Sequence, residues 1–316
     1  MKEEPEVTII SAVYGATDEF LKKMSRLVKG QEYSGKINHI FINDNARRPR
    51  NIEGLNIINN EKNLGVTSLL NMGFKMAKTE IVVSLLDDCL PSSKNWLKTL
   101  IKPLTEDQSI AATVSLVELP YKFWSKFDFF AKAMTEKEQK VLSPGIDAKG
   151  CAYRVSALKE FDYLDNKYFF HGGEDANFTL KIKESKKWTY VLTDAKVYHL
   201  HYTNTKSRIK KEKQYAQLAA LIARKQFFRE TWNYKLSVFL KEFSFLLFVV
   251  SLFSLNIKFI TGSFAFAFVV ANLRLPFQIK KLWKNPLILI VPFFNLFLYI
   301  MYFFAFTWTF LMKPKV

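Results

Sequence analysis

Solid apolar runs and runs of helical period alternate along the first ninety residues. Val7–Val13 (VTIISAV), Ile37–Ile42 and Ile81–Pro91 (IVVSLLDDCLP) are apolar on both faces, the pattern of buried parallel strands rather than of a half-exposed sheet. From about Asp18, a candidate N-cap, Phe20, Leu21, Met24, Leu27 and Val28 recur on one helical face. A short strand, Asn56–Ile58, leads through the turn Asn63-Leu64-Gly65 into a helical run bearing Leu69, Leu70, Met72, Phe74 and Met76. Another helix is expected from near Ser93. The order β-α-β-β-α-β with short connections predicts an α/β fold with a doubly wound, mostly parallel sheet and flanking helices.

Polar groups cluster where these apolar runs stop. The second run ends in Asn43-Asp44-Asn45 and the third carries Asp87 and Asp88. Open α/β sheets bind ligands outside the carboxyl ends of their strands, and paired carboxylates there offer hard oxygen ligands for a metal ion beside a phosphate. Capping of the following helix is the plainer reading, and one acid would satisfy it. No G-x-G-x-x-G follows the first strand, which argues against a dinucleotide-binding oxidoreductase.

After Tyr202 the pattern changes. Lys206, Arg208, Lys210, Lys211, Lys213, Arg224, Lys225, Arg229, Lys235 and Lys241 are interleaved with Leu218, Leu221, Ile222, Phe227 and Phe228, a basic amphipathic stretch suited to an anionic bilayer surface. Nucleic acid is the rival partner for such charge, but the remaining chain favours lipid. Phe243–Ile257, Phe259–Leu273 and Pro286–Met312 carry no charge, and the last is long enough to span. The first two flank Lys258 as a tight hairpin or one long bent helix. Arg274–Lys284 holds four basic residues, which places it on the cytoplasmic side. A helical oligomerisation domain buried in protein is the other reading. The chain of 316 residues has 46 Lys and Arg against 29 Asp and Glu, a net charge of +17, in keeping with that surface. Two cysteines, Cys89 and Cys151, are too few for a disulfide framework and point to a reducing compartment. MKEEPE runs straight into a strand without a secretory signal pattern.

The motifs together resemble a family 2 glycosyltransferase of the GT-A fold. The first strand ending near Tyr14, the second ending in Asp44-Asn45, the Asn63-x-Gly65 turn and Asp88-Cys89-Leu90-Pro91 are similar to its nucleotide-sugar half. Residues Gly150–Tyr202 resemble its acceptor half: a glycine with small neighbours, a helix, Phe161-Asp162, Phe169-Phe170, Glu174-Asp175 opening a helix, and Val197-Tyr198-His199 on a strand. The pieces in order over some 200 residues carry the match, which is nearest to the rhamnosyltransferase-like enzymes of cell-surface polysaccharide synthesis. One departure concerns the D-x-D metal motif: Asp87 and Asp88 match its middle and last positions, while Leu86 stands for the first acid.

The resemblance implies a nucleotide-diphosphate sugar donor, a lipid-linked or glycan acceptor, and a divalent metal, manganese or magnesium. Asp88 and His199 are the implied metal ligands, with His201 two residues on. Val13, Tyr14, Asp44, Asn63, Gly65, Asp87 and Asp88 are the implied donor contacts; turn formation is the lesser reading of Asp44, and a satisfied structural histidine is the other reading of His199. Asp175 is the implied general base and Gly150 and Glu174 the acceptor contacts, yet acids at helix starts are also common caps. The segment Pro120–Lys149, rich in aromatic residues, reads as an acceptor or membrane flap or as a packed helix. The expected layout is a catalytic domain over 1–204 (1–91 for the donor, 92–204 for the acceptor), basic interfacial helices over 205–241 and a transmembrane region over 242–316. The expected function is a membrane-anchored inverting glycosyltransferase facing the cytoplasm, of open oligomeric state. The alternative is a catalytically silent membrane scaffold that binds nucleotide sugar, for which Leu86 is the best support.

Overall fold

The computed structural model describes residues 4–136, 138, 145–169 and 172–312. Two units divide the chain: Met1–Phe123 with Glu138–His201, and Trp124–Lys137 with Tyr202–Val316. Phe170 of the expected Phe169-Phe170 pair lies outside the described residues.

The first unit begins β1 (Val7–Val13), α1 (Asp18–Lys29), β2 (Ile37–Asn43), β3 (Asn56–Asn59), α2 (Val66–Met76), β4 (Ile81–Ser84), β5 (Cys89–Pro91), α3 (Trp96–Glu106) and β6 (Ile110–Glu118). The short helix α4 (Tyr121–Trp124) follows, then, after α5 (Phe129–Met134) of the second unit, β7 (Cys151–Arg154), α6 (Val155–Glu160), α7 (Glu174–Glu184) and β8 (Thr189–His199). The strands form one open sheet of order β3-β2-β1-β4-β7-β6-β8-β5. Its first four strands are parallel, as the solid apolar runs predict, and so are β6 and β8. β7 enters antiparallel between β4 and β6, and β5 folds back antiparallel on β8. The sheet is therefore open and mixed, with four of its seven strand pairings parallel and flanking helices as expected.

Successive side chains of a strand face opposite layers, and here each layer has its helices. Val7, Ile9 and Val13 of β1 pack with Leu21, Met24 and Val28 of α1 and with Trp96, Leu97 and Leu100 of α3. Ile10 and Ala12 pack in the other layer with Leu69, Leu70 and Phe74 of α2 and with Phe178 and Ile182 of α7. Gly73 is what lets α2 lie on β1: a Cβ there would come within 2.4 Å of Ile10 Cγ2.

Several boundaries differ from the sequence expectation. Ile81–Pro91 is not one strand. β4 stops at Ser84, and the amide of Cys89 donates to the Leu86 carbonyl at 2.9 Å, closing a turn before β5. Asp87 and Asp88 therefore sit in that turn rather than at a strand end. Thr17, not Asp18, caps α1, its Oγ1 accepting from the Phe20 amide at 3.2 Å. The third helix begins at Trp96, not Ser93.

The second unit contains α5, α8 (Thr205–Gln226), α9 (Trp232–Leu252), α10 (Ile257–Ala271), α11 (Leu275–Leu282) and α12 (Val291–Met312). α9 runs through residue 241, so no break separates interfacial from uncharged helix there. The chain turns at 253–256, with Leu255 at φ 53° and Asn256 Oδ1 accepting from the amides of Lys258 and Phe259. The Lys258 region is thus a hairpin, and Lys258 lies in the first turn of α10. Ala220 and Ala223 of α8 pack inside this unit with Val238 and Phe306, and Phe227 lies partly buried against them. The aromatic segment before Lys149 supplies the packed helix α5. Gln278 Nε2 donates to the Ala133 carbonyl at 3.0 Å, Lys281 Nζ to that of Glu136, and Arg274 Nε lies 3.6 Å from Glu136 Oε1. Among the described residues one helix, Pro286–Met312, is long and apolar enough to cross a membrane; α10 with α11, bent by 53°, is so only if the pair is taken together. Its 27 residues extend about 40 Å at 1.5 Å each, against a hydrocarbon core of about 30 Å.

Below the sheet, His39 of β2 places Nε2 2.9 Å from Ser11 Oγ, its ring centroid 4.0 Å from that of Phe41. Burial, helped by the charge of Lys29, pushes its imidazole down to about 3. A histidine depressed in the folded state is charged more readily in the unfolded chain, so its contribution is complete above about 6.5 and drains as pH falls toward 3. We expect thermal unfolding of the detergent-solubilised protein to lose at most about 1.4 kcal/mol per pH unit over that window through this one group. His39→Gln should flatten the limb, and identical pH slopes in variant and wild type would refute the assignment.

Candidate active site

The loop after β1 is shaped by a carboxylate 70 residues away in sequence. The amides of Tyr14, Gly15 and Ala16 all donate to Asp87 Oδ2, at 2.8, 3.1 and 3.1 Å. Burial raises the Asp87 carboxyl, and the charge of Asp88 adds to the rise against the three amides. Arg50, buried, grips the same loop from the other side, donating to the Ala16 carbonyl at 2.5 Å and to Asp18 Oδ1 at 2.6 Å. The Tyr14 side chain is left 57% exposed, free to lie against a ligand, whereas Val13 is buried and its carbonyl accepts from the Asp44 amide at 2.8 Å.

Asp44 repeats the device. Its Oδ1 and Oδ2 accept from the Leu64 amide at 2.8 and 3.0 Å, and Oδ2 from the Gly65 amide at 2.9 Å. Asn63 Oδ1 also accepts from Gly65, at 3.1 Å, and Gly65 takes φ 77° as it opens α2, a conformation that glycine adopts without strain. Asp44, Asn63 and Gly65 are thus one unit, and both oxygens of Asp44 are engaged in holding it.

Asp88 faces the other way. The register of β5 on β8 sets Cys89 opposite His199, which brings His199 Nε2 to 2.9 Å from Asp88 Oδ2. Burial raises the Asp88 carboxyl, but the hydrogen bond and charge of His199, with Cys89 and Lys149, outweigh it and hold the group below the usual carboxylate range. Possible ligand atoms of Asp88, Cys89 and His199 lie within 4.8 Å of one another. The Cys89 thiol, raised by burial and by Asp88, stays protonated and donates to Asp88 Oδ1 at 3.3 Å. What remains is one carboxylate oxygen and one imidazole nitrogen, a donor pair that fits manganese or magnesium better than a thiolate-seeking ion. Leu86, in place of the first acid, packs against both apolar layers of the sheet. His201 follows β8 with its ring centroid 4.3 Å from that of His199 and its Nε2 3.6 Å from Glu138.

A second acid group surrounds Lys149. Its Nζ donates to both oxygens of Asp147, at 3.0 and 2.9 Å. Burial works against the ammonium, but Asp147, with Cys89 and Asp175 behind it, raises it far above the lysine range. Asp175 opens α7 after Gly173, which takes φ 92°. Burial raises its carboxyl, Asp147 adds to the rise, and Lys149 opposes it. Glu174 is 4% exposed with Oε2 lacking a hydrogen-bond partner, and burial followed by the charge of Asp175 raises its carboxyl too. Gly150 is buried where a Cβ would meet Val197 Cγ1 at 2.9 Å and Ser115 Oγ at 3.1 Å, so a packing constraint accounts for this glycine.

The structure thus joins Tyr14 to Asp87, Val13 to Asp44, Asp44 to Asn63 and Gly65, and Asp88 to His199. The field of Lys149 acts on both Asp88 and Asp175. Arg50, Asp147 and Lys149 were missed in the sequence. Lys149 beside the motif glycine Gly150 was the only available signal, and an isolated lysine is an ordinary surface residue.

The family described as glycosyltransferase like family 2 matches residues 42–217. No curated protein matches the chain. Among solved structures, the mannosyltransferase PcManGT from Pyrobaculum calidifontis, in complex with GDP-Man and Mn2+, is similar with TM-score 0.59 and 15% identity, covering 99% of this chain and 89% of that one. GalNAc-T7 with UDP, GalNAc and Mn2+ is similar with TM-score 0.52 and 15% identity, covering 77% of this chain and 51% of that one. At such identities the likeness speaks for the fold, a mixed open sheet of GT-A type, while the matched span exceeds half of the 316 residues, and on that match the chain belongs to the glycosyltransferase like family 2.

Proposed function

We propose that this protein is a membrane-anchored, inverting, metal-dependent glycosyltransferase that moves a sugar from a nucleotide diphosphate to a lipid-linked or glycan acceptor. Within the family, its signature is nearest to the rhamnosyltransferase-like enzymes. The observation that carries the reading is the approach of His199 to Asp88 at 2.9 Å, set by strand register beside a loop whose amides are already oriented by Asp87. The solved neighbours named above bind GDP-Man or UDP together with Mn2+, which supports the donor class and the cation. Asp88 and His199 would hold that cation, which stabilises charge on a leaving diphosphate.

The chain's own groups do the rest. Tyr14 and the Asn63-Gly65 turn receive the nucleoside, with Asp44 and Asp87 holding their backbones. In direct displacement the acceptor oxygen forms its bond to the anomeric carbon as the bond to the diphosphate breaks. The hydroxyl proton passes to the Asp175 carboxylate, whose raised affinity for protons makes it a stronger base than an ordinary aspartate. Glu174 orients the start of α7. Lys149 keeps one positive charge among Asp88, Asp147 and Asp175. Pro286–Met312 anchors the protein, and Arg274, Lys280, Lys281 and Lys284 favour a cytoplasmic position for that segment. The layout of a catalytic domain over 1–204 followed by basic and membrane helices remains part of this reading. A donor-binding scaffold without turnover is favoured by Leu86 alone, and the ionised Asp88 beside His199 argues against it.

Asp88→Ala should abolish metal-dependent binding of a nucleoside diphosphate by calorimetry. Wild-type binding that chelator leaves unchanged would show the metal assignment to be wrong.

Asp175→Asn keeps shape but cannot take the proton, so transfer should fall on the order of 100- to 10,000-fold with donor affinity nearly intact. Glu174→Gln should harm the chemical step less. Because the Asp175 carboxyl is raised, wild-type transfer should already fail on the acid side at a pH above the ordinary carboxylate range. Transfer by Asp175→Asn within a few-fold of wild type would place the base elsewhere.

The full chain should sediment with membranes, resist extraction at alkaline pH and require detergent. Recovery in the soluble fraction without detergent would contradict the anchor.

A further inference from the structure

The second unit carries an open pocket of about 430 Å³ at the junction of α8, the 3-10 turn Phe227–Arg229, α9 and the last turns of α12. Its lining has two chemistries. Arg224, Lys225 and Arg229 bring three cations; Phe227, Val238, Phe306 and Phe310 form an apolar wall. The wall is fixed: Phe306 and Val238 are buried, and the rings of Phe306 and Phe310 stack with centroids 5.9 Å apart. Two bonds fix the cationic rim. Arg224 Nη1 donates to the Phe310 carbonyl at 2.7 Å, and Lys235 Nζ donates to the Phe228 carbonyl at 2.7 Å, bracing the 3-10 turn. Glu230, the neighbouring carboxylate, accepts from the buried Gln226.

We infer that this pocket is a binding site for one anionic phospholipid, its phosphate at Arg224, Lys225 and Arg229 and its chain against Phe306 and Phe310. The inference rests on the membrane anchoring proposed above. It sharpens the expectation of diffuse attraction to an anionic bilayer into a discrete site. Three arguments carry it. The volume lies within the 300–1,000 Å³ range of small-molecule sites. A guanidinium already fastened through one nitrogen to a helix-end carbonyl keeps further N–H groups in a planar fork that suits phosphate. The cations stand at one end of the helix able to span, where headgroup phosphates lie, and the phenylalanines line the side of that same helix, where acyl chains lie. A soluble anion has no use for the apolar wall, and a neutral lipid has none for the three cations.

The test uses full-length protein in detergent micelles and in nanodiscs. Phosphatidylglycerol, phosphatidylcholine and inorganic phosphate are the probes, read by native mass spectrometry of retained lipid and by thermal shift. Wild type should retain one phosphatidylglycerol and be stabilised by it, with phosphatidylcholine and inorganic phosphate at millimolar concentration giving neither effect. Arg224→Gln/Lys225→Gln/Arg229→Gln should lose at least tenfold in lipid affinity. Lys206→Gln/Lys210→Gln/Lys213→Gln, with the same change of charge on exposed positions of α8, should lose little. Lys225→Gln/Arg229→Gln leaves the Arg224 bond to Phe310 in place and serves if the triple variant does not fold. Equal losses in the pocket and control variants would mean diffuse electrostatics and overturn the proposal. Stabilisation by inorganic phosphate equal to that by phosphatidylglycerol would overturn it in favour of a free anion site. Protein that embeds in membranes yet retains no anionic lipid refutes the pocket site alone, whereas protein that never partitions into membranes refutes the anchor and this site together.

Discussion

A single carboxylate oxygen receiving three backbone amides is the interaction on which the candidate site depends. Asp87 Oδ2 gathers the N–H groups of Tyr14, Gly15 and Ala16, a stretch whose sequence has no strand or helix partner to satisfy them. Removing the acceptor would free all three amides at once, and the loop, part-exposed at Tyr14 and Gly15, would lose the bonds that fix its conformation, each worth about 1.5–3 kcal/mol to a charged acceptor before solvent competition. The loop's conformation is therefore tied to the turn between β4 and β5, and Arg50 closes the clamp from the far side. Asp44 holds Leu64 and Gly65 in the same way. Both elements proposed to receive a nucleotide are thus set in place by carboxylates that themselves face inward, which is how a site is preorganised before its ligand arrives.

With Asp87 and Asp44 committed to backbone, the remaining acids have to be balanced by something else. Asp88 is held ionised by His199, and Lys149, paired with Asp147, acts by its charge on both Asp175 and Asp88. Like charges in a poorly solvated site raise one another, and Asp175 shows it: burial and Asp147 push its carboxyl up while Lys149 pulls it down. One ammonium thus limits how far the proposed base drifts toward its neutral form. The geometry also explains why Glu174 and Asp175, though adjacent, have different surroundings. Neighbouring helical side chains diverge by about 100 degrees, and Glu174 is buried while Asp175 is partly open.

The half of the fold made of local pattern was legible. β1, α1, β2 and α2 follow from apolar runs and helical periodicity, because each buries a face whose period is written in its own residues. What was not legible is long-range pairing. Nothing local in IVVSLLDDCLP says that β4 ends at Ser84 or that Cys89 pairs with His199. The antiparallel entry of β7 likewise depends on a partner 70 residues away. In the site, Asp44, Asp88, His199 and Asp175 were marked by motif order, whereas Arg50, Asp147 and Lys149 act through contacts that no spacing announces. Gly150 is marked for the acceptor by motif order, and its tight packing against Val197 and Ser115 is a further constraint that no local pattern announces.

The missing first acid of the metal motif has a physical account in the same turn. Leu86 packs against both apolar layers of the sheet, so a carboxylate at that position would enter apolar contact instead of reaching toward Asp88. Even at this partly buried position, desolvation without a partner would shift a carboxyl toward its neutral form, and a neutral acid is a poor ligand. In the proposed site the second donor comes from the neighbouring strand: β5 pairs with β8, and the register brings the His199 imidazole to Asp88. An imidazole adds no negative charge beside Asp87, Asp147 and Asp175, so the proposed cation would meet a site whose acids are less strongly set against one another. On this argument Leu86 and His199 are a single feature, the one apolar because the turn is packed there and the other a nitrogen because the strand register supplies it.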